Sequence, residues 1–164
     1  MSIIIQPVEK TEENGKLIMI WRNDKNTRKM SFDSKIKSWD TFKMIFEDNY
    51  FNNYLPPLFA YYNNEKEAFI GFICNNTVDI ETTEEICKIG INLNPYYRGK
   101  GLGKLIIKKS IEYIKINYPF VKKIIANIKS INIASIKVFE SCNFEFVKIY
   151  QLNNEKIYKY QYIM

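Results

Sequence analysis

The stretch 86–110, ICKIGINLNPYYRGKGLGKLIIKKS, limits the fold more than any other part of the chain. An apolar strand over 86–93 stops at Asn94-Pro95, glycines follow at 99, 101 and 103, and a helix is predicted over 101–117. On that helix Lys104, Lys108, Glu112 and Lys115 share one face, while Leu102, Leu105, Ile106, Ile107, Ile111 and Ile114 cover most of the rest. Such a helix is buried on most of its circumference, which requires a sheet or other helices around it. The turn before it carries chemistry. Three glycines remove side chains where main chain must approach a ligand, and the helix start offers unpaired N–H groups and the positive end of its dipole. That combination suits phosphate oxygens, and Arg98, Lys100 and Lys104 add positive charge. The spacing matches neither common phosphate-binding pattern: no Gly-x-x-x-x-Gly-Lys-Ser/Thr occurs, and a dinucleotide fingerprint begun at Gly99 or Gly101 meets Lys104 or Ile106 where glycine is needed.

The remaining elements follow from periodicity and breakers. A short strand is expected over 3–8 and a helix over 12–22, with Leu17, Ile20 and Trp21 at helical spacing and Asn23-Asp24 ending it. A second helix begins with Ser38 as N-cap and runs to about 49, its buried side Trp39, Phe42, Ile45 and Phe46. Strands over 58–62 and 68–74 join through Asn63-Asn64-Glu65, and the polar run 75–85 reads as loop. After the glycine-led helix come a strand over 121–128, a short helix over 132–141 and a hairpin of 144–152 with 156–164 about Asn153-Asn154. Tyr158, Tyr160 and Tyr162 then share one face, expected to be a half-buried sheet face or a dimer contact rather than a base-stacking platform. The order β-α-α-β-β-β-α-β-α-β-β predicts an α/β domain with a mixed sheet.

Composition narrows the function. A chain of 164 residues fits one domain, and no apolar run approaches the ~18 residues of a membrane span. The N-terminus reads as a first strand instead of a signal peptide, so a cytoplasmic protein is expected. Cys74, Cys87 and Cys142 are odd in number with no Cys-x-x-Cys pair, and are expected as buried reduced thiols with no metal site. Histidine is absent, which removes Ser-His-Asp and Cys-His catalysis. The net charge of +6 favours an anionic partner without choosing among nucleic acid, a nucleotide cofactor and a sugar nucleotide.

Asn94-Pro95-Tyr96-Tyr97-Arg98-Gly99-Lys100-Gly101-Leu102-Gly103 resembles the Gln/Arg-x-x-Gly-x-Gly/Ala pattern of the GNAT superfamily of acetyl-CoA-dependent N-acetyltransferases. Downstream, Asn132-Ile133-Ala134-Ser135 and then Phe139-Glu140-Ser141-Cys142-Asn143-Phe144 resemble the family's Asn-x-x-Ser helix and its Gly-Phe exit. The resemblance is strong over 86–144 and weaker before it. It implies a mostly antiparallel sheet of six to seven strands with about four helices and splayed central strands. It implies acetyl-CoA as co-substrate, its diphosphate on the N–H groups of Arg98, Gly99, Lys100, Gly101, Leu102 and Gly103. Its pantetheine arm would pair with Ile91 and Leu93, near Asn132 and Ser135. Transfer would be direct, without a covalent enzyme intermediate. Asn143 replaces the family's glycine, which is tolerable because Asn adopts the left-handed conformation.

Two departures stand out. Phe139 occupies the place of a tyrosine that protonates the leaving thiolate in many members, and Lys88 that of a frequent glutamate. Glu85 and Glu84 are then the candidate bases, and Tyr97 or Tyr96 the candidate acid. Trp21-Arg22-Asn23-Asp24 resembles a segment of two branches, those acting on amino-sugar nucleotides (as in pseudaminic acid synthesis) and those acting on ribosomal-protein N-termini. The resemblance places Arg22 and Asn23 in the acceptor pocket, with a sugar-nucleotide amine the preferred small-molecule acceptor and a peptide N-terminus the alternative. A non-catalytic acetyl-CoA-binding domain is the alternative of another class; a nucleic-acid partner and a membrane are not expected, and a homodimer is compatible.

Overall fold

The computed structural model describes residues 2–74 and 86–164. Its elements run β1 (Ile3–Pro7), α1 (Glu12–Asn23), α2 (Lys25–Met30), α3 (Trp39–Met44) continued by a π-helical turn (Ile45–Tyr50), β2 (Leu58–Tyr62), β3 (Glu65–Ile73) and β4 (Ile86–Leu93). A 3₁₀ turn (Pro95–Tyr97) leads to α4 (Leu102–Asn117), β5 (Lys123–Lys129), α5 (Ile133–Glu140), β6 (Glu145–Leu152) and β7 (Glu155–Ile163). The seven strands form one sheet in the order β1-β2-β3-β4-β5-β7-β6, antiparallel except where β4 meets β5.

Strand alternation sends residues to two cores. On one face Leu58, Ala60, Ile70, Phe72 and Ile89 pack with α4 through Leu102, Ile106, Ile107 and Ile114, and with α5 through Ile136 and Phe139. On the other, Phe59 and Phe69 meet Ile18 and Trp21 of α1 and Phe42 and Phe46 of the α3 segment. The predicted Ser38 cap forms, accepting from the Thr41 amide, and Asn132 caps α5 by accepting from that of Ser135. Both hairpins turn on paired asparagines with positive φ, Asn63-Asn64 and Asn153-Asn154, and Asn143 is left-handed after α5. The tyrosine row is a partly buried sheet face, with the Tyr160 hydroxyl donating to Glu140 at 2.8 Å.

One helix is added and one expectation is corrected. The first helix ends at Asn23-Asp24 as expected, but Asp24 then caps a further helix, α2, that the sequence reading did not contain, accepting from the Thr27 amide at 3.0 Å. Lys25–Met30 escapes a periodicity test because it buries no residue. The helices accordingly number five among the described residues. The thiols are not all reduced: Cys74 and Cys87, at neighbouring ends of β3 and β4, form a disulfide, and only Cys142 is free. Spacing could not reveal that pair, because sheet registry is what brings the two together.

The parallel contact places the site. β4 pairs with β5 only at Ile86↔Lys123, Cys87↔Ile124 and Lys88↔Ile125. Beyond Lys88 the strands diverge, β4 continuing to Leu93 beside β3 while β5 stays paired to β7 as far as Lys129. The facing edges are left with main-chain groups available to a third strand-like partner.

Candidate active site

At the end of the diverging β4, Asn94 caps the 3₁₀ turn and the chain enters the glycine turn. Gly99 and Gly101 have φ of +72° and +77°, the left-handed region that a side chain makes costly. A Cβ at either position would meet nothing within 4 Å, so conformation and open space, not packing, account for both glycines. From 99 to 103 no main-chain N–H donates to a described residue, and α4 has no side-chain cap. Five amides next to a helix start are thus left without an acceptor among the described residues, which fits an anion such as a diphosphate.

The basic side chains of this turn are engaged elsewhere. Arg98 donates to Asp24 at 2.7 Å and to the Thr27 hydroxyl at 2.5 Å. The Lys100 ammonium lies 3.8 Å from the centre of the Tyr96 ring and 4.9 Å from that of Tyr97. Main chain, more than charge, is what this turn leaves unengaged.

A cavity of about 570 Å³ runs from this turn along β4, lined by Arg98, Gly99, Gly101, Leu102 and Gly103 at one end and by Ile91, Leu93, Asn132 and Ser135 further in. Of the cofactor residues expected from sequence, only Lys100 is missing from this wall, its side chain being folded over the tyrosines. Tyr97 also lines it, and burial first, then the nearby Glu67 carboxylate, push its phenol above the usual range. Asn132 spends its side-chain oxygen on the Ser135 amide at 3.2 Å, leaving its amide nitrogen without a described partner.

A second cavity, also about 570 Å³, opens on the α1–α3 side. The two share Met30, Ser31, Ile91, Asn92, Asn132, Ser135 and Phe139, so they meet where β4 and β5 part. Its floor is a pair sequence reasoning missed: Gly71 and Gly90 face each other across β3 and β4. Gly71 seats the Tyr50 ring, which would lie 2.6 Å from an added Cβ, whereas a Cβ at Gly90 would enter open space. The detectable signal was a glycine inside each apolar strand, which marks a close approach of something else. Tyr50 also stacks edge-on against Phe69 at 4.9 Å, and burial holds its phenol up against the opposing pull of Arg22.

Charge in this cavity comes from Arg22, Lys88 and Asp33. Arg22 donates to the Ser31 hydroxyl and to the Asp33 carbonyl, 3.4 Å away, and Lys37 pairs with the Asp33 carboxylate. That lysine, followed by the Lys35 amide, holds the Asp33 carboxyl below its ordinary pKa. Asn23 is placed otherwise than Arg22. Its amide exchanges two hydrogen bonds with the Lys37 main chain, at 2.8 and 2.9 Å, and it lines neither cavity. Phe139 is buried against Phe144 at 4.9 Å and borders both cavities. The candidate bases Glu84 and Glu85 lie outside the described residues.

The sequence model of the acetyltransferase (GNAT) domain matches residues 3–145. The chain belongs to the GNAT acetyltransferase family. Solved structures agree on the fold. AAC(6')-Ib in complex with ribostamycin and coenzyme A superposes with a TM-score of 0.82 at 16% identity, over 99% of this chain and 94% of that one. The same enzyme with paromomycin and acetyl-CoA gives 0.82 at 17% identity, over 99% and 94%. A domain from Methanocaldococcus jannaschii DSM 2661 gives 0.76 at 25% identity, over 99% of both chains. No curated protein sequence matches the chain. In this GNAT chain the segment that resembles the family motif contains the amides of 99–103 that no described residue engages, and the strands that part are β4 and β5.

Proposed function

We propose that this chain binds acetyl-CoA along β4 and transfers the acetyl group directly to a primary amine of a small anionic acceptor, of the amino-sugar nucleotide class. One observation carries this: the cradle of unpaired amides at 99–103 leads along an open strand edge into a second cavity bearing two cations. In this reading the amides receive the diphosphate, the main chain of Ile91 and Leu93 pairs with the pantetheine amides, and the Asn132 amide group and Ser135 fix the arm at the strand junction. Acetyl-CoA supplies an activated acyl carbonyl. A β4 N–H facing the gap stabilises the charge that develops on that carbonyl oxygen, and the narrow junction holds amine and carbonyl in line.

The amine must reach the junction neutral, so its proton passes to a carboxylate or through water, for which Glu84 and Glu85 are the candidates from sequence. Tyr97, with its raised pKa, remains a protonated donor at neutral pH, and Phe139 offers no proton in its place. The acceptor class rests on charge. The described wall holds Arg22 and Lys88 against a single carboxylate, Asp33, that is already paired to Lys37. A polycationic amine gains little there, whereas a phosphate-bearing one finds complementary charge. The test is thiol release from acetyl-CoA with a nucleotide-linked amino sugar, the same sugar without the nucleotide, an aminoglycoside and a peptide. The proposal expects the nucleotide-linked sugar to have the highest kcat/KM; preference for the aminoglycoside refutes the acceptor class, and acetyl-CoA binding without thiol release from any acceptor favours a binding-only domain.

A further inference from the structure

α2 is an unusual wall. It borders both cavities, with Asn26 and Thr27 on the cofactor side and Met30 and the following Ser31 on both. Yet it buries none of its six residues, so apolar packing does little to place it. Polar tethers place it instead. At its C-terminal end the Lys129 ammonium donates to the Lys29 carbonyl at 3.3 Å, while Arg28 reaches the Asn23 and Ser34 carbonyls at 3.1 and 3.0 Å. At its N-terminal end the tether is Arg98, the residue that opens the phosphate turn.

Arg98 meets both the capping carboxylate of α2 and the Thr27 hydroxyl. From there a continuous chain of hydrogen bonds crosses to the acceptor cavity. The Ser31 hydroxyl donates to the Thr27 carbonyl at 2.7 Å, and Arg22 donates to the Ser31 hydroxyl. One guanidinium at the cofactor end is thereby linked through one turn of helix to the guanidinium that lines the acceptor end.

We propose that Arg98 is a positioning residue. It fastens α2 to the phosphate turn, so that ordering of that turn by the diphosphate and shaping of the acceptor wall are a single coupled event. Its guanidinium does not serve as a phosphate ligand; the amides of 99–103 do that work. The tether stands on the described contacts alone, while the coupling rests on the acetyl-CoA assignment made above.

The experiment uses the full chain and no acceptor. Amide hydrogen exchange over 25–33 and acetyl-CoA affinity by calorimetry are measured for the wild type, Asp24→Asn, Arg98→Met, the double variant and Arg98→Lys. Each of the first two single variants is expected to speed exchange over 25–33 and to weaken acetyl-CoA by about three- to tenfold, the range for a half-buried charge-assisted pair. The double variant should be no worse than either single one, because both remove the same contact. Arg98→Lys should recover part of the protection, since it keeps the charge opposite Asp24. The tether is overturned if Asp24→Asn leaves exchange and affinity unchanged, or if the two effects multiply. Weakened binding in Arg98→Met alone would make Arg98 a phosphate ligand after all. A wild type that does not bind acetyl-CoA would defeat the cofactor assignment, and the exchange measurements would still decide the tether.

Discussion

Replacing Gly101 by glutamate isolates the step on which the cofactor assignment depends. Gly101 has φ +77° and open space where a Cβ would point, so the change costs conformation and not packing. A left-handed backbone costs a residue with a side chain about 1–2 kcal/mol. For a chain of this size that lowers the melting temperature by about 2–8 °C, with the protein still folded. The effect on binding is larger. A carboxylate about 4 Å from one charge of a diphosphate loses about 1 kcal/mol in a watery site and about 4 kcal/mol at the effective dielectric of a protein surface. Affinity for acetyl-CoA should therefore fall by a factor between about five and about a thousand. Calorimetry measures the affinity and urea unfolding the stability, with two neutral controls. Gly101→Ala carries the backbone strain without the charge, and Gly101→Asn is a residue that accepts the left-handed region. Folded Gly101→Glu protein that binds acetyl-CoA within twofold of the wild type would refute the cradle.

Other expectations follow from particular contacts. Gly71→Ala places a Cβ 2.6 Å from the Tyr50 ring and should cost about 1–3 kcal/mol in urea unfolding, the range for overpacking. Its cross-strand partner is the contrast: Gly90→Ala meets nothing within 4 Å and should leave stability nearly unchanged while raising KM for the acceptor; equal destabilisation by the two would contradict the floor described here. Burial, followed by the hydrogen bond to Glu140, raises the Tyr160 phenol from 10.0 to about 12. The folded state then holds a proton that the unfolded state releases, so this contribution is complete below about pH 10 and is lost as pH rises towards 12. Relative to Tyr160→Phe, the wild type should lose about 2–3 kcal/mol over that interval; parallel pH profiles would show that the phenol titrates normally. Thiol titration of unreduced, denatured protein should find one thiol, that of Cys142, with two more after reduction. Three thiols before reduction would remove the Cys74–Cys87 bond.

Much of this protein was legible without a fold. The glycine turn and α4 could be read because main-chain conformation and helix burial are local matters: a left-handed φ selects glycine at 99 and 101, and a 3.6-residue period exposes the lysine face. The asparagine turns and the cap at Ser38 were legible for the same reason, each depending on a few neighbouring residues. Together with the downstream Asn-x-x-Ser helix they were enough to recognise the family and to expect acetyl-CoA.

Tertiary structure alone decided how these pieces confront one another. Whether Arg98 faces phosphate or Asp24 depends on where α2 lies, and α2 has no apolar pattern to announce it. The facing of Gly71 with Gly90, the pairing of Cys74 with Cys87 and the point, after Lys88, at which the expected splay of β4 from β5 begins are consequences of strand registry. Registry arises from side-chain packing between segments far apart in the chain, and local propensity carries no record of it. The sequence thus determined which main-chain atoms are bare; the sheet determined what stands opposite them.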